Sequence, residues 1–236
     1  GYLPEEAVLK GISFEVSKGE TLAIVGATGA GKSTIINLLN RFYGIQSGRI
    51  SIDGHNINAL SLKGLRSHIA VVLQDVFLFA DTIENNISLG NSEVSLSEIE
   101  AAAKEIGVHD FIESLPGGYQ FNVKERGGML SSGQRQLIAF LRAYVTKPSI
   151  LVLDEATSSI DSASEQLIQK ATDTITKGRT SIVIAHRLAT IQKASNILVM
   201  DAGVIVEQGT HEALLKKGGY YKNLYEAQFL SVAVVE

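Results

Sequence analysis

A glycine-rich turn between an apolar run and an amphipathic helix pattern constrains this chain most. Gly26-Ala27-Thr28-Gly29-Ala30-Gly31-Lys32-Ser33 fits the pattern G-x-x-x-x-G-K-[ST]. It follows the apolar run Thr21–Val25 and precedes a predicted helical face formed by Ile35, Leu38, Leu39 and Phe42. Such a loop joins a strand directly to a helix, which predicts an α/β fold.

The chemistry of this loop is that of a phosphate cradle. Its three glycines let the backbone curl so that successive N–H groups point inward, and the following helix start adds a positive dipole end. Lys32 would reach the β- and γ-phosphates, and the Ser33 hydroxyl would ligate Mg²⁺. The alternative is a chance glycine-rich turn, but the flanking strand and helix favour a nucleoside triphosphate site.

Further apolar runs predict a mostly parallel sheet. The buried-strand candidates are Ile69–Leu73, Ile150–Leu153, Ser181–Ala185 and Ile197–Met200. Ile12, Phe14 and Val16 alternate with polar residues, as in a half-buried strand. Asp201-Ala202-Gly203 reads as a hairpin turn into Val204–Val206, which predicts an antiparallel part.

Helical periods dominate the middle of the chain. N-cap candidates are Thr82, Ser97 and Ser131, and Ser97 to Glu100 has capping-box spacing. We therefore predict a single domain over residues 1–236, with a core subdomain of about 1–81 and 148–236 and an inserted α-helical subdomain of about 82–147.

Composition excludes several classes of function. Of the 236 residues, 21 are Lys or Arg and 25 are Asp or Glu, and this net charge of −4 disfavours nucleic acid as a partner. Cysteine is absent, which excludes disulfides, thiolate zinc sites and a cysteine nucleophile. No apolar run approaches the length of a membrane span, so a soluble chain is expected. The start at Gly1-Tyr2 suggests a fragment of something longer.

Two carboxylates and a histidine follow predicted strands. Asp154 and Glu155 come after Ile150–Leu153, at the strand end where ligands gather in parallel sheets. Asp154 would hold Mg²⁺ and Glu155 would orient or deprotonate the attacking water, although both could simply cap a turn. His186 follows Ser181–Ala185, where contact with a γ-phosphate is favoured over a structural role.

Two further polar features stay open on the residues alone. Gln74 follows Ile69–Leu73, and its amide could ligate Mg²⁺ or water, or merely end the strand. Leu130-Ser131-Ser132-Gly133-Gln134-Arg135-Gln136 precedes a predicted helix and could form a second anion site. Composition alone favours an ordinary N-cap there.

The combination of these features, in this order, resembles the ABC ATPases. Across essentially the whole chain it is similar to the nucleotide-binding domain of ABC exporters of the multidrug and lipid type. Exporter-like stretches are Leu39–Tyr43, Gln74–Phe79, Thr82–Ile87 and Glu125–Gly127. The resemblance implies a P-loop NTPase core, with ATP and Mg²⁺ as ligands.

The resemblance also implies roles for individual residues. Tyr2 would stack on adenine, Glu155 would be the catalytic carboxylate, and His186 and Lys32 would contact the phosphates. The other nucleotide contacts would be Gly26, Ala27, Thr28, Gly29, Ala30, Gly31, Ser33, Thr34 and Gln74. The Mg²⁺ ligands would be Ser33, Gln74 and Asp154.

The implied partner is a second ATPase domain. Ser131, Ser132, Gly133 and Gln134 would bind the γ-phosphate of ATP held by the opposite subunit of a head-to-tail homo- or heterodimer. Ser158-Ser159-Ile160-Asp161 would lie at the dimer contact. The loop after Gln74 would face a transmembrane domain, fused upstream, so that the chain works at the cytoplasmic face of a membrane and powers export.

Three positions depart from the family's pattern. Ser132 and Lys124 stand where glycines are usual, and the contact loop reads Ser-Ser-Ile-Asp. The intact Glu155 and His186 predict a competent ATPase. A soluble ABC module acting on nucleic acid or ribosomes is opposed by the acidic balance and the lack of tandem cassettes. An importer ATPase is opposed by the residues around Gln74 and Glu125.

Overall fold

The computed structural model describes residues 7–155 and 162–227, with the side chains of 162 and 163 left out. In chain order the strands are β1 (Thr21–Gly26), β2 (Ser51–Ile52), β3 (His55–Asn56), β4 (Ile69–Val72), β5 (Ile150–Asp154), β6 (Thr180–Ile184), β7 (Asn196–Asp201) and β8 (Val204–Gly209). The helices are α1 (Lys32–Leu39), α2 (Leu62–His68), α3 (Ile83–Ser88), α4 (Leu96–Ile106), α5 (His109–Glu113), α6 (Ser132–Val145), α7 (Ser162–Thr176), α8 (Leu188–Lys193), α9 (His211–Lys217) and α10 (Tyr220–Tyr225). Within those ranges, no helix is apolar over enough length to span a bilayer.

The chain forms two compact units. The first contains the described residues up to Ile69 and from Thr180 onward, and the second is the continuous stretch Ala70–Arg179 that interrupts it. The division into functional subdomains at about 82 and 147 stays a prediction.

The first unit is built on a sheet with β1 at its centre. β1 pairs in parallel with β6 on one side and β7 on the other, so that Ile24 lies opposite both Ile184 and Leu198. β8 returns antiparallel to β7, and the turn between them contains Gly203 at φ 85°. The central strands bury nearly every side chain, as expected for parallel strands covered on both faces. β2 and β3 form a separate small antiparallel hairpin.

The second unit is organised around α6. This helix packs against α3, α4 and α7, and it buries Leu137, Ile138, Phe140 and Leu141. Strand β5, with Leu151, Val152 and Leu153 all buried, lies beside β4. A long, largely buried helix thus runs through the core of this unit.

The structure confirms the predicted fold class, a mostly parallel sheet with an antiparallel part and an inserted helical portion. Two local predictions for the first 42 residues are wrong. Residues 12–16 alternate between half-buried and exposed but form no strand, because alternation alone does not supply a hydrogen-bonded neighbour. Phe42 lies beyond the end of α1 and is exposed, with the Arg66 guanidinium 5.1 Å from its ring centroid.

The predicted N-caps are confirmed at Thr82 and Ser131 and wrong at Ser97. Thr82 accepts a hydrogen bond from the Asn85 amide. α4 is capped by Ser95, whose hydroxyl accepts from the Glu98 amide while Glu98 accepts from the Ser95 amide. Ser97 lies inside α4. The capping box is therefore present, but two residues earlier than predicted.

Candidate functional site

The glycine-rich loop lies in the first unit, between the end of β1 and the start of α1. A Cβ added to Gly26 would lie 2.1 Å from the Met200 carbonyl oxygen, and one added to Gly31 would lie 2.8 Å from a Leu9 methyl carbon. Gly29, at φ 82°, has no atom within 4 Å of such a Cβ. Gly26 is therefore required by packing against the backbone, and Gly31 is favoured by its φ of 97°, whereas the Cβ direction of Gly29 is open.

The loop is anchored from outside by the β7–β8 turn. The Gly203 amide donates to the Ala30 carbonyl at 3.2 Å, and the Gly203 carbonyl accepts from the Lys10 amide at 2.8 Å. A Cβ at Gly203 would lie 2.0 Å from the Val8 carbonyl oxygen, so this turn needs its glycine for close approach. The curvature of the loop is thus fixed by neighbours in the same unit before any ligand binds.

Lys32 is held within the loop. Only 8% of its surface is exposed, and its Nζ donates to the carbonyl oxygens of Gly26 at 2.8 Å and Ala27 at 2.9 Å. An ionised phosphate is a stronger acceptor for an ammonium group than a neutral carbonyl. The lysine is therefore positioned to exchange these bonds for a phosphate.

His186 belongs to the same unit and follows the end of β6 by two residues. Burial lowers the pKa of its imidazole, and the positive charge of Lys32 lowers it further. The ring is therefore neutral at neutral pH and offers one N–H donor and one acceptor nitrogen. The electrostatic influence of Lys32 shows that the structure brings these two predicted site residues into one region.

The predicted metal- and water-binding residues of the second unit follow neighbouring strands. Asp154 is the last residue of β5 and Glu155 comes next, with 8% and 1% of their surfaces exposed. Gln74 lies two residues beyond the adjacent strand β4 and is exposed. Buried carboxylates at a strand end require compensating partners, and both acids do have interactions in the structure.

The segment Ser131–Gln134 starts α6 with a reciprocal capping box. The Ser131 hydroxyl accepts from the Gln134 amide at 3.2 Å, and the Ser131 amide donates to Gln134 Oε1 at 3.0 Å. The side chains of Ser131 and Gln134 therefore form an ordinary N-cap, as composition favours. The box leaves the first-turn N–H groups of Ser132 and Gly133, which have no intrahelical acceptor. Anion binding at these N–H groups stays a prediction.

Two residues that sequence reasoning missed connect α6 to the segment after Gln74. Arg142 donates from Nε to the Asn86 carbonyl at 2.8 Å, and burial lowers the pKa of its guanidinium. Asn86 is fully buried and bonds the main chain of Phe79 through its side-chain amide. The sequence offered only a weak signal for the role of Arg142, namely a charged residue between two apolar residues of a helix. Its neighbours Leu141 and Ala143 are both buried.

Tyr2 and Ser158–Asp161 lie outside the described residues. Within the described ranges, no cluster of three or more His, Asp or Glu side chains could hold a metal ion by itself. The predicted ligand set of Ser33, Gln74 and Asp154 instead supplies one hydroxyl, one amide and one carboxylate oxygen. Such a set fits Mg²⁺, which binds few protein oxygens and keeps several waters.

Comparison with known proteins identifies the family. The family described as "ABC transporter" matches residues 9–158. The chain is 52% identical over 229 residues to the ATP-dependent lipid A-core flippase of Saccharophagus degradans, covering 97% of this chain and 39% of that protein. It is 51% identical over 227 residues to the probable multidrug resistance ABC transporter ATP-binding/permease protein YheH of Bacillus subtilis, covering 96% of this chain and 34% of that protein.

A solved structure shows the same fold. A bacterial Atm1-family ABC exporter with ATP bound superimposes with a TM-score of 0.89 at 45% identity, over 97% of this chain and 40% of that one. The chain thus spans well under half the length of the relatives that it matches. The part matched by the family, residues 9–158, includes the glycine-rich loop, the start of α6 and the Asp154-Glu155 pair. The chain belongs to the ABC transporter family and is an ATP-binding ATPase domain of the exporter type.

Proposed function

We propose that the chain hydrolyses Mg-ATP held on the loop Gly26–Thr34 and that this hydrolysis powers export across a membrane. The observation that carries the proposal is the preformed loop, in which Lys32 already donates to two loop carbonyls and the space at Gly29 is open. Because the loop backbone is already curved and the Lys32 side chain is already ordered, little conformational entropy remains to be lost when a phosphate binds.

Each residue near the phosphates has a distinct task. Lys32 binds the β- and γ-phosphate oxygens, and Ser33, Gln74 and Asp154 hold the metal. Bound Mg²⁺ supplies charge neutralisation on those phosphates. Glu155 orients or deprotonates the attacking water, while His186, neutral because its pKa is lowered, donates a hydrogen bond to the γ-phosphate. Tyr2 stacks on the adenine.

The second half of the site is supplied by another ATPase domain. Ser131, Ser132, Gly133 and Gln134 contact the γ-phosphate of ATP bound to the opposite subunit. The first-turn N–H groups at the α6 start and the positive end of a 14-residue helix support this role. The helical subdomain of about residues 82–147 presents this end, and the two domains close head to tail as a homodimer or heterodimer.

The transmembrane partner would contact the segment after Gln74. Phe77 and Phe79 each expose 55% of their surface, and their rings pack edge to face with centroids 5.1 Å apart. Exposed aromatic pairs of this kind are typical of interaction surfaces. Names of relatives that combine "ATP-binding" with "permease" support a transmembrane domain as this partner. The working position is then the cytoplasmic face of a membrane.

The catalytic assignment is tested with Glu155→Gln. This change keeps the shape of the side chain and removes its basicity, so phosphate release should fall about 100-fold or more while Mg-ATP binding is kept. Glu93→Gln, at an exposed loop position, is the matched control and should leave turnover unchanged. Turnover of Glu155→Gln equal to that of the control would overturn the assignment.

The composite site has its own test. If each ATP is sandwiched between two subunits, turnover per molecule should fall when the chain is diluted below the dimer dissociation constant. Constant turnover per molecule on dilution, with light scattering showing monomers, would overturn the head-to-tail arrangement but not ATP binding itself.

A further inference from the structure

The guanidinium of Arg142 connects α6 to the segment between β4 and α3. Its Nε donates to the Asn86 carbonyl at 2.8 Å, and Nη1 donates to the Phe77 carbonyl at 3.2 Å. Arg142 lies on the same helix that begins at the proposed phosphate-binding end. One side chain therefore joins the helix to the backbone that carries the exposed aromatic pair.

Asn86 completes this connection. Its Oδ1 accepts from the Phe79 amide at 2.8 Å, and its Nδ2 donates to the carbonyls of Phe79 at 3.0 Å and Thr82 at 2.9 Å. Because Asn86 is fully buried, water does not compete for these bonds. The main chain of Phe77 and Phe79 is thus held by two side chains, and Arg142 contacts both Phe77 and Asn86.

Two buried polar atoms on α6 have no hydrogen-bond partner in this arrangement. They are Nη2 of Arg142 and Oε1 of Gln136. A buried polar atom without a partner costs free energy, so its presence in a native packing calls for an explanation. Both atoms lie on α6, so the polar contacts of this helix are incompletely satisfied in this packing.

We propose that Arg142 is a positioning residue that transmits closure of the α6 start on a partner's ATP to the Phe77–Phe79 surface. The inference rests on the proposed function. Ser131 and Arg142 are separated by about 16 Å along the helix axis at 1.5 Å per residue, and a packed helix moves as one body over that length. Arginine suits this role because its planar fork of donors holds several carbonyls in fixed geometry, whereas the lysine ammonium is a point donor.

The test uses fluorescence from one introduced tryptophan. The chain contains no Trp, so Phe79→Trp places a unique fluorophore on the surface in question. In the full 236-residue chain carrying Glu155→Gln, which should hold Mg-ATP without turnover, we expect Mg-ATP to shift the tryptophan emission. Adding Arg142→Lys should abolish most of that shift without changing Mg-ATP affinity or ATP-induced dimerisation, each measured separately by titration and light scattering.

Arg66→Lys is the matched control. Arg66 also donates to two main-chain carbonyls, those of Asn40 and Arg41, but in the first unit. This control should keep the full emission shift. A shift that survives Arg142→Lys, or is lost equally with Arg66→Lys, would overturn the inference. Failure of the Glu155→Gln chain to dimerise on Mg-ATP would instead overturn the proposed function, and the inference with it.

A second measurement needs no change at Arg142. Hydrogen exchange of the Phe79 amide, which donates to Asn86, should change when the Glu155→Gln chain dimerises on Mg-ATP. Identical exchange at this amide with and without Mg-ATP, in a chain that does dimerise, would refute the inference even if Arg142→Lys proved too unstable to study.

Discussion

Lys124 has a backbone conformation that is normally found only for glycine. Its φ of 60° and ψ of −173° fall in a region that residues with a Cβ essentially do not adopt. The amide of Lys124 donates to Asn122 Oδ1 at 2.9 Å, and the side chain is exposed. The conformation is therefore imposed by the surrounding turn rather than by contacts of the lysine itself.

We expect Lys124→Gly to stabilise the chain. Removing the Cβ should relieve about 1–3 kcal/mol of backbone strain in the folded state. Glycine also gives the unfolded chain more conformational freedom, which lowers this gain by about 0.4–1 kcal/mol. The net gain in the free energy of unfolding is then about 1–2 kcal/mol. For a domain of this size that corresponds to a rise in Tm of about 2–8 °C.

The assay is urea unfolding followed by circular dichroism, with Lys124→Ala as the control. Alanine removes the charge and the long side chain but keeps the Cβ, so its free energy of unfolding should stay within about 0.5 kcal/mol of the unaltered chain. If glycine proves no more stabilising than alanine at this position, the strain argument is refuted. Equal gains from both would identify the charge of Lys124 as the cause instead.

Two further outcomes follow from the loop and its histidine. Gly26→Ala would place a Cβ 2.1 Å from the Met200 carbonyl oxygen. The free energy of unfolding measured in urea should therefore fall by about 3 kcal/mol or more. A smaller decrease for Gly26→Ala than for Gly29→Ala would contradict the packing argument. Because burial lowers the pKa of His186 below its usual 6.5, the unfolded chain takes up this proton first, and stability should decline as pH falls below about 6.5. The difference between the urea midpoints at about pH 7 and about pH 5 should be smaller in His186→Gln than in the unaltered chain. An equal difference in both proteins would count against a buried neutral imidazole.

The glycine-rich loop could be predicted because its sequence and its geometry are both local. A strand, a turn with positive φ at Gly29 and Gly31, and a helix start are all encoded within a few residues. The cap of α4 shows the limit of such patterns. Ser95 and Ser97 each have a glutamate three residues later, and the buried face of Ile99 and Ala103 is the same for either start. Sequence alone therefore could not choose between them.

Features that depend on distant partners escaped prediction for a physical reason. The alternation of Ile12, Phe14 and Val16 correctly indicates which side chains are half-buried. A β-strand also needs main-chain hydrogen bonds to a neighbouring segment, and the alternation does not indicate such a partner. Arg142 escaped because its acceptors are main-chain carbonyls, 56 and 65 residues away in sequence. Every residue type carries such a carbonyl, so no complementary residue in the sequence marks the contact.

The bonds from Lys32 to Gly26 and Ala27 also determine what a binding measurement on this loop reports. Two of the three N–H donors of the ammonium group already donate to these carbonyls. A phosphate therefore competes with existing acceptors, and the binding enthalpy includes the difference between the bonds gained and the bonds lost. Because the side chain is already ordered, little of its rotational freedom remains to be lost. We expect ATP association here to have a modest enthalpy and a small entropic penalty. Replacing Lys32 would also remove the donor from two carbonyls of the empty loop, so the resulting loss of affinity would include a change in the unliganded protein.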